Sequence, residues 1–361
     1  MFINLRYSPI SGTIIALIST ILATPVVAES TALMFITEVK GNVKLKQPNQ
    51  KKYQKVYGGE LLTGSHKLRL LKGASVKVIC NNRKVWNPAS PGEFKVSEGC
   101  FLPKQVQKRQ NRKTAPTRNG NDPTIPYLIT PRNSAILTRQ PSLSWHSVAG
   151  ATSYQVQVLG PNVDWKTQVN QPEVVYSGNQ TLQPGFRYRV IVTASNGVSN
   201  EDKDNSGFTI LSDVDTQRVK NQIAQLQQQP LTNQSKTLAL AHLYRNNNLN
   251  ADAIVLLTNL VQQETKTTAV YQLLGNIYQE VGLTELAKKH YLTALLLAKV
   301  ENNLPAQAIM QANLGEVNIT LGELRQAFKW FKSADKNYRV LGDEPKIREM
   351  QQQLDNLNKR I

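Results

Sequence analysis

A spacing recurs through the last third of this 361-residue chain, and a spacing of that kind restricts the fold more than composition does. Ala241, Gly275 and Gly315 are small residues, each preceded by a leucine (Leu240, Leu274, Leu314). Tyr244 and Tyr278 stand three residues on, and Asn318 breaks that pattern in the third unit. Ala253, Ala287 and Ala327 follow the small positions by twelve residues. Four further on lie Leu257, Tyr291 and Phe331, then Leu260, Ala294 and Ala334. The interval is 34 residues from Ala241 to Gly275 and 40 from Gly275 to Gly315, which predicts a lengthened second helix or loop around 297–305. Apolar residues in this region keep the 3.6-residue period of a helix. Small residues are expected where antiparallel helices cross closely, and the aromatic residue is expected to fill space between adjacent repeats. Gly282 and Gly322 mark helix–helix turns. Val219, Ile223 and Leu226 predict a helix ahead of the first repeat. Ile347, Leu354 and Leu357 predict a last helix after Pro345, because the ends of a solenoid need covers.

This pattern resembles the tetratricopeptide repeat and implies an all-α solenoid over residues 213–361. The family binds extended peptides or partner surfaces in a concave groove lined by the first helix of each repeat. Carried over from the small position, the groove candidates are Leu238, His242, Arg245 and Asn246 in the first repeat. Gln272, Asn276 and Gln279 follow in the second, and Glu316 in the third. Some members hold a terminal carboxylate at such sites; Arg245 and Asn276 are the candidates here, since a guanidinium forks onto a carboxylate.

The other end of the chain is a targeting segment. Arg6, the apolar run from Ile14 to Ala23, and Pro25-Val26-Val27-Ala28 read as a signal peptide over 1–28 with cleavage after Ala28. An uncleaved anchor is the alternative. Export to the periplasm or outside the cell is the expectation. The net charge of +18 is concentrated at this end. Residues 1–121 hold 20 Lys or Arg against 5 Asp or Glu, and the remainder holds 23 against 20.

Residues 29–102 read as β structure. Val43-Lys44-Leu45-Lys46, Leu68-Arg69-Leu70 and Ser75-Val76-Lys77-Val78 alternate apolar and polar, with lysines at many outward positions. Gly41-Asn42-Val43, then Gly59-Glu60-Leu61-Leu62-Thr63-Gly64, then Lys72-Gly73 before the next strand resemble the FecR-type β domain, an extracytoplasmic sensing or adhesion module. The family often has Asp after the second glycine of the middle element, where this chain has Ser65. Cys80 and Cys100 are disulfide candidates, and closing a loop of that length contributes about 3 kcal/mol.

Residues 103–122 carry Lys104, Lys108, Arg109, Arg112, Lys113 and Arg118 with no acidic residue before Asp122. The segment reads as a solvated linker; its functional alternative is contact with an envelope polyanion. Residues 123–211 alternate again, with Trp145, Tyr154, Val156 and Val158 at buried positions. Leu182-Gln183-Pro184-Gly185-Phe186-Arg187-Tyr188 resembles the corner of fibronectin-III and related Ig-like sandwiches. That resemblance makes Tyr188 the corner tyrosine and Trp145 the core tryptophan.

No phosphate-binding loop, dinucleotide-binding glycine pattern, metalloprotease helix or nucleophile elbow is present in the sequence. His66, His146, His242 and His290 lack metal-ligand spacing. The expectation is a non-enzymatic, multidomain scaffold of the bacterial cell envelope with no cofactor. Its helical array takes a protein or peptide partner, and its basic β domain meets an anionic polysaccharide, peptidoglycan or lipid surface. Nucleic acid is not an expected partner. The alternatives are a FecR-type sensor or regulator and an enzyme with an unrecognised site.

Overall fold

The computed structural model describes residues 34–361 except 89, 101–121 and 205. The leader and the linker cations Lys104, Lys108, Arg109, Arg112 and Lys113 lie outside the described residues.

The first β region holds seven strands: β1 (Phe35–Lys40), β2 (Val43–Lys46), β3 (Gln54–Lys55), β4 (Lys67–Leu70), β5 (Ser75–Ile79), β6 (Val85–Trp86) and β7 (Gly92–Lys95). The short helix α1 (Val96–Gly99) follows. One sheet runs β1-β5-β6 and the other β3-β2-β4-β7. Ile36, Val43, Leu45, Leu68, Leu70, Val76 and Val78 are buried between them, as the period-2 alternation requires. Cys80 and Cys100 are bonded, with Cα atoms 5.2 Å apart, tying the end of β5 to the residue after α1.

The second β region comprises β8 (Leu128–Thr130), β9 (Ser134–Ile136), β10 (Ser142–Trp145), β11 (Tyr154–Gly160), β12 (Val163–Val169), β13 (Glu173–Val175), β14 (Arg187–Ala194) and β15 (Gly207–Ile210). A three-stranded sheet, β13-β10-β8, and a five-stranded sheet, β12-β11-β14-β15-β9, share one core. Trp145, Tyr154, Val156, Val158, Tyr188 and Phe208 are buried in it. The Tyr188 hydroxyl accepts a 2.7 Å hydrogen bond from the Gln183 amide, which fixes the Pro184-Gly185 corner.

Eight helices complete the described chain: α2 (Asp213–Gln227), α3 (Asn233–Asn246), α4 (Asn250–Gln262), α5 (Thr268–Glu280), α6 (Thr284–Val300), α7 (Leu304–Thr320), α8 (Leu324–Leu341) and α9 (Glu344–Asn358). The repeats are the pairs α3–α4, α5–α6 and α7–α8, with α2 and α9 at the two ends. Ser212, Thr232, Asn303 and Asp343 cap helix starts through side-chain oxygens. Pro305 and Pro345 pre-set the first turns of α7 and α9. The turn inside each repeat takes a left-handed residue at the same place: Asn248 (φ 61°), Gly282 (φ 82°) and Gly322 (φ 79°). The longer second interval comes from the helices themselves. The second helix grows from 13 residues in α4 to 17 in α6, and the first from 13 in α5 to 17 in α7.

In the second and third repeats the aromatic ring packs within its own repeat. Tyr291 and Phe331 lie on the small residue of the paired helix. A Cβ added at Gly275 would overlap the Tyr291 ring, and one at Gly315 the Phe331 ring. The first repeat has Leu257 at the ring position and carries Ala241, so the small residue loses its Cβ only where a ring must lie flat on the backbone. We therefore expect Gly275→Ala to destabilise the protein by about 1–3 kcal/mol through overpacking. Tyr291→Leu in the same chain should recover part of that loss. A double-mutant cycle by urea denaturation reads the coupling; strictly additive losses would refute the ring-on-glycine account.

Candidate functional site

The groove positions cluster along α3, α5 and α7 and differ sharply in what covers them. The first β region lies along the edge of the array where these helices begin. Tyr57 donates its hydroxyl to the Glu301 carbonyl at 2.6 Å, ahead of α7. Ser235 on α3 donates to the Thr37 carbonyl at 3.1 Å. Gly59, at φ 85°, sits so close to Ala269 and Leu238 that a Cβ there would overlap Ala269. At one end of the array, Arg83 donates to Gln225 at 2.8 Å. At the other, Lys51 is 3.8 Å from Glu344. The contacts run from the end of α2 to the start of α9.

His242, a first-repeat candidate, is buried with its ring 5.2 Å from that of Phe35. Leu238 is buried beside it. In this arrangement the chain's own N-terminal region fills the first-repeat part of the groove. Burial, with Arg245 nearby as a lesser cause, pushes the His242 imidazole down to about 3. On the other side of the contact, burial pushes the Glu60 carboxyl up to about 7, against a lowering hydrogen bond from the Tyr57 amide.

Arg245 forks onto a carboxylate, but that carboxylate is the chain's own. Its guanidinium binds both oxygens of Glu280 on the next repeat, with Nε at 3.1 and 3.2 Å. A partner's carboxylate would have to displace Glu280. The expected pairing of Arg245 with Asn276 does not form a ready clamp. The Tyr291 hydroxyl points at Asn276 Oδ1 and Gln279 Oε1, 2.8 Å from each. Gln279 is nevertheless exposed, and Asn246, Gln272, Asn276 and Glu316 are half-buried. The chain's own first β region thus covers the His242 position, while the other polar candidates of all three repeats keep partial exposure, Gln279 the most. Burial also raises the Glu316 carboxyl, with Glu349 adding to the rise and Lys346 opposing it.

The second β region grips the opposite edge, at the turns inside the repeats. Arg132 and Asp204, both with side chains 0% exposed, form an ion pair at 2.5 Å. The same guanidinium donates from Nη1 to Ser206 Oγ at 3.0 Å and from Nε to the Val281 carbonyl, after α5, at 2.8 Å. Ser134 Oγ accepts from the Ala251 amide at 3.0 Å, and the Ala135 amide donates to the Asn248 carbonyl at 2.8 Å. No signal in the sequence paired Arg132 with a backbone carbonyl 149 residues away.

The four histidines stay apart. His146 stacks on Tyr127 and His290 on Tyr278, while His66 Nδ1 accepts from the Thr63 amide at 2.9 Å. Among the described residues, no group of three or more His, Cys, Asp or Glu is placed to hold a metal. No helix of the described residues is long and apolar enough to cross a membrane.

Comparison with known proteins bears on the helical part. A family model described as Tetratricopeptide repeat matches residues 266–339, the second and third repeats. Solved structures similar to the chain include these two. The crystal structure of BtubC (BKLC) from P. vanneervenii shares 17% identity at a TM-score of 0.31, over 40% of this chain and 61% of that one. MamA MSR-1 C2 shares 18% identity at a TM-score of 0.27, over 40% of this chain and 90% of that one. No curated protein matches.

His242 and Glu60 make the contact between the first β region and the array respond to pH in opposite directions. A histidine held below its ordinary 6.5 stabilises above 6.5 and loses that contribution as pH falls toward about 3. A carboxyl raised above 4.5 stabilises below 4.5 and loses that contribution as pH rises through about 7. Relative to the parent chain, His242→Phe should therefore gain stability as pH falls from 6.5 to 4.5. Glu60→Gln should gain as pH rises over the same range. Denaturation across that range checks both; slopes parallel to the parent's would contradict the assignment.

Proposed function

We propose that the chain is a non-catalytic protein–protein interaction scaffold of the bacterial cell envelope. Tetratricopeptide repeats are an interaction architecture, and the family match covers the second and third repeats, where Gln272, Asn276, Gln279 and Glu316 are all at least partly exposed. That coincidence carries the reading: the protein or peptide partner lies along Gln272, Asn276, Gln279 and Glu316. The first repeat is already occupied by the chain's own β region. The Asn276 and Gln279 amides offer hydrogen bonds to an extended backbone, and Arg245–Glu280 limits the groove at the first-repeat side.

The flanking β regions fit the same reading. The first has the glycine order of a FecR-type module, and its cations suit an anionic envelope component. The second, with two sheets around one core and the Tyr188 hydroxyl bonded to the Gln183 amide, resembles a fibronectin-III or Ig-like sandwich, and in this reading it orients the array. The envelope location rests on the leader-like N-terminus and the Cys80–Cys100 bond, which suits an oxidising compartment. A second reading, a FecR-type sensor, is favoured by one observation: Phe35 covers His242, so a signal that released the β region would open the first-repeat groove.

Site-specific photocrosslinking in cells tests the scaffold reading. A photoreactive residue at Gln279 should trap a discrete partner, and one at Asn259, exposed on α4 of the first repeat, should not. Trapping from Asn259 alone would move the partner out of the groove, and absence of any adduct from Gln279 would remove it.

A further inference from the structure

The sheet β3-β2-β4-β7 presents one face to solvent, and strand register sets its cations in rows. Lys44 pairs across β2 with Lys55 on one side and Arg69 on the other, and Arg69 pairs with Glu93. Two residues along, Lys46 pairs with Lys67, and Lys67 with Lys95. The result is two parallel rows, Lys55–Lys44–Arg69–Glu93 and Lys46–Lys67–Lys95. Neighbouring strands lie about 4.8 Å apart, and the two rows are about 7 Å apart along the strands. All six cations except Lys46 are exposed, and Lys46 is half-buried with its amine 6.0 Å from the Tyr53 ring centre.

Four cross-strand neighbours in this lattice carry like charge: Lys44/Lys55, Lys44/Arg69, Lys46/Lys67 and Lys67/Lys95. Like charges directly opposite one another destabilise a sheet. Glu93 offsets part of this, held by Lys67 at 2.9 Å and Arg69 at 3.0 Å. Glu98 adds a second carboxylate beside the Lys95 amide, at 3.2 Å. The remaining positive charge has no counterpart in the rows, so an anion from outside the chain would remove repulsion as well as form contacts.

We infer that this sheet face is a binding site for a linear acidic polysaccharide. The inference rests on the proposed contact of the basic β domain with an anionic envelope component, and it names both the residues and the ligand chemistry. The geometry favours a polymer of regularly spaced carboxylates or sulfates, because the strand register sets the cations at regular intervals in two rows. The face carries a single aromatic ring, Tyr53 beside Lys46 and under Arg69, and no aliphatic side chain in either row, where a membrane-surface site would use several apolar groups alongside its cations. Single-stranded nucleic acid would stack bases on aromatic rings, and Tyr53 is already covered by the Arg69 guanidinium, 3.9 Å from the ring centre.

The test titrates the full-length protein into labelled heparin and labelled polygalacturonate. Vesicles of equal phosphatidylglycerol and phosphatidylcholine, and a single-stranded oligonucleotide, are the competing anions. The triple variant Lys44→Gln, Lys46→Gln, Lys95→Gln leaves the Glu93 pairs intact. It should weaken polysaccharide binding at least about tenfold and lower the slope of log affinity against log salt by about 1 per cation removed. Its melting temperature should stay level or rise, since repulsion is relieved. Unchanged affinity, or a melting temperature that falls with affinity intact, overturns the site. If binding is lost instead when Lys104, Lys108, Arg109, Arg112 and Lys113 become Gln, the sheet site fails while the envelope contact stands. Tighter binding to vesicles or oligonucleotide at equal ionic strength overturns the ligand class. No binding to any anion overturns both.

Discussion

Phe35 and His242 form the contact that seats the first β region on the helical array. A buried phenylalanine contributes roughly 1.5–3 kcal/mol, and here it does so across a boundary between a sheet and a helical array. Burial in this contact disfavours a charged imidazole, so His242 sits against Phe35 in its neutral form. Once Phe35 is seated on α3, Gly59 reaches Ala269, Tyr57 reaches the Glu301 carbonyl, and Lys51 comes within an ion pair's distance of Glu344. Phe35 and Ile79 belong to the same apolar core as the first two repeats, so this core crosses from the sheet into the array without a break.

The opposite edge is gripped by a different kind of interaction. Arg132 is fully buried, and its charge is tolerated because Asp204, Ser206 and two backbone carbonyls surround it. One of those carbonyls, that of Val281, ends a helix of the second repeat. The second β region is therefore fastened by hydrogen bonds to turns, and the first by apolar burial along helix starts. The two β regions thus hold the array along both edges, one at helix starts and the other at the turns inside the repeats.

What the sequence made legible follows from the range of the interactions involved. Ala241, Gly275 and Gly315 reported their helices because the residue each one packs under lies only sixteen positions on. The alternation around Val43 and Leu68 reported strands because it is local. The docking of Phe35 was not legible, since an apolar residue in a strand looks the same whether it faces its own sheet or a helix more than two hundred residues away. The Arg245–Glu280 pair carried a signal that could have been found: opposite charges stand at adjoining positions of successive repeats. The lysine rows needed the register of four strands, and alternation alone supplies only which side each lysine faces.

The docking of the first β region along the array is the central claim, and zero-length carbodiimide crosslinking tests it most directly. The reagent joins an amine to a carboxylate only where the two meet. Lys51 and Glu344 meet across the interface, and Lys67 and Glu93 meet within the first β region. Both links are expected in the monomeric full-length chain, identified by peptide mass spectrometry. Formation of the Lys67–Glu93 link without the Lys51–Glu344 link would contradict the docking.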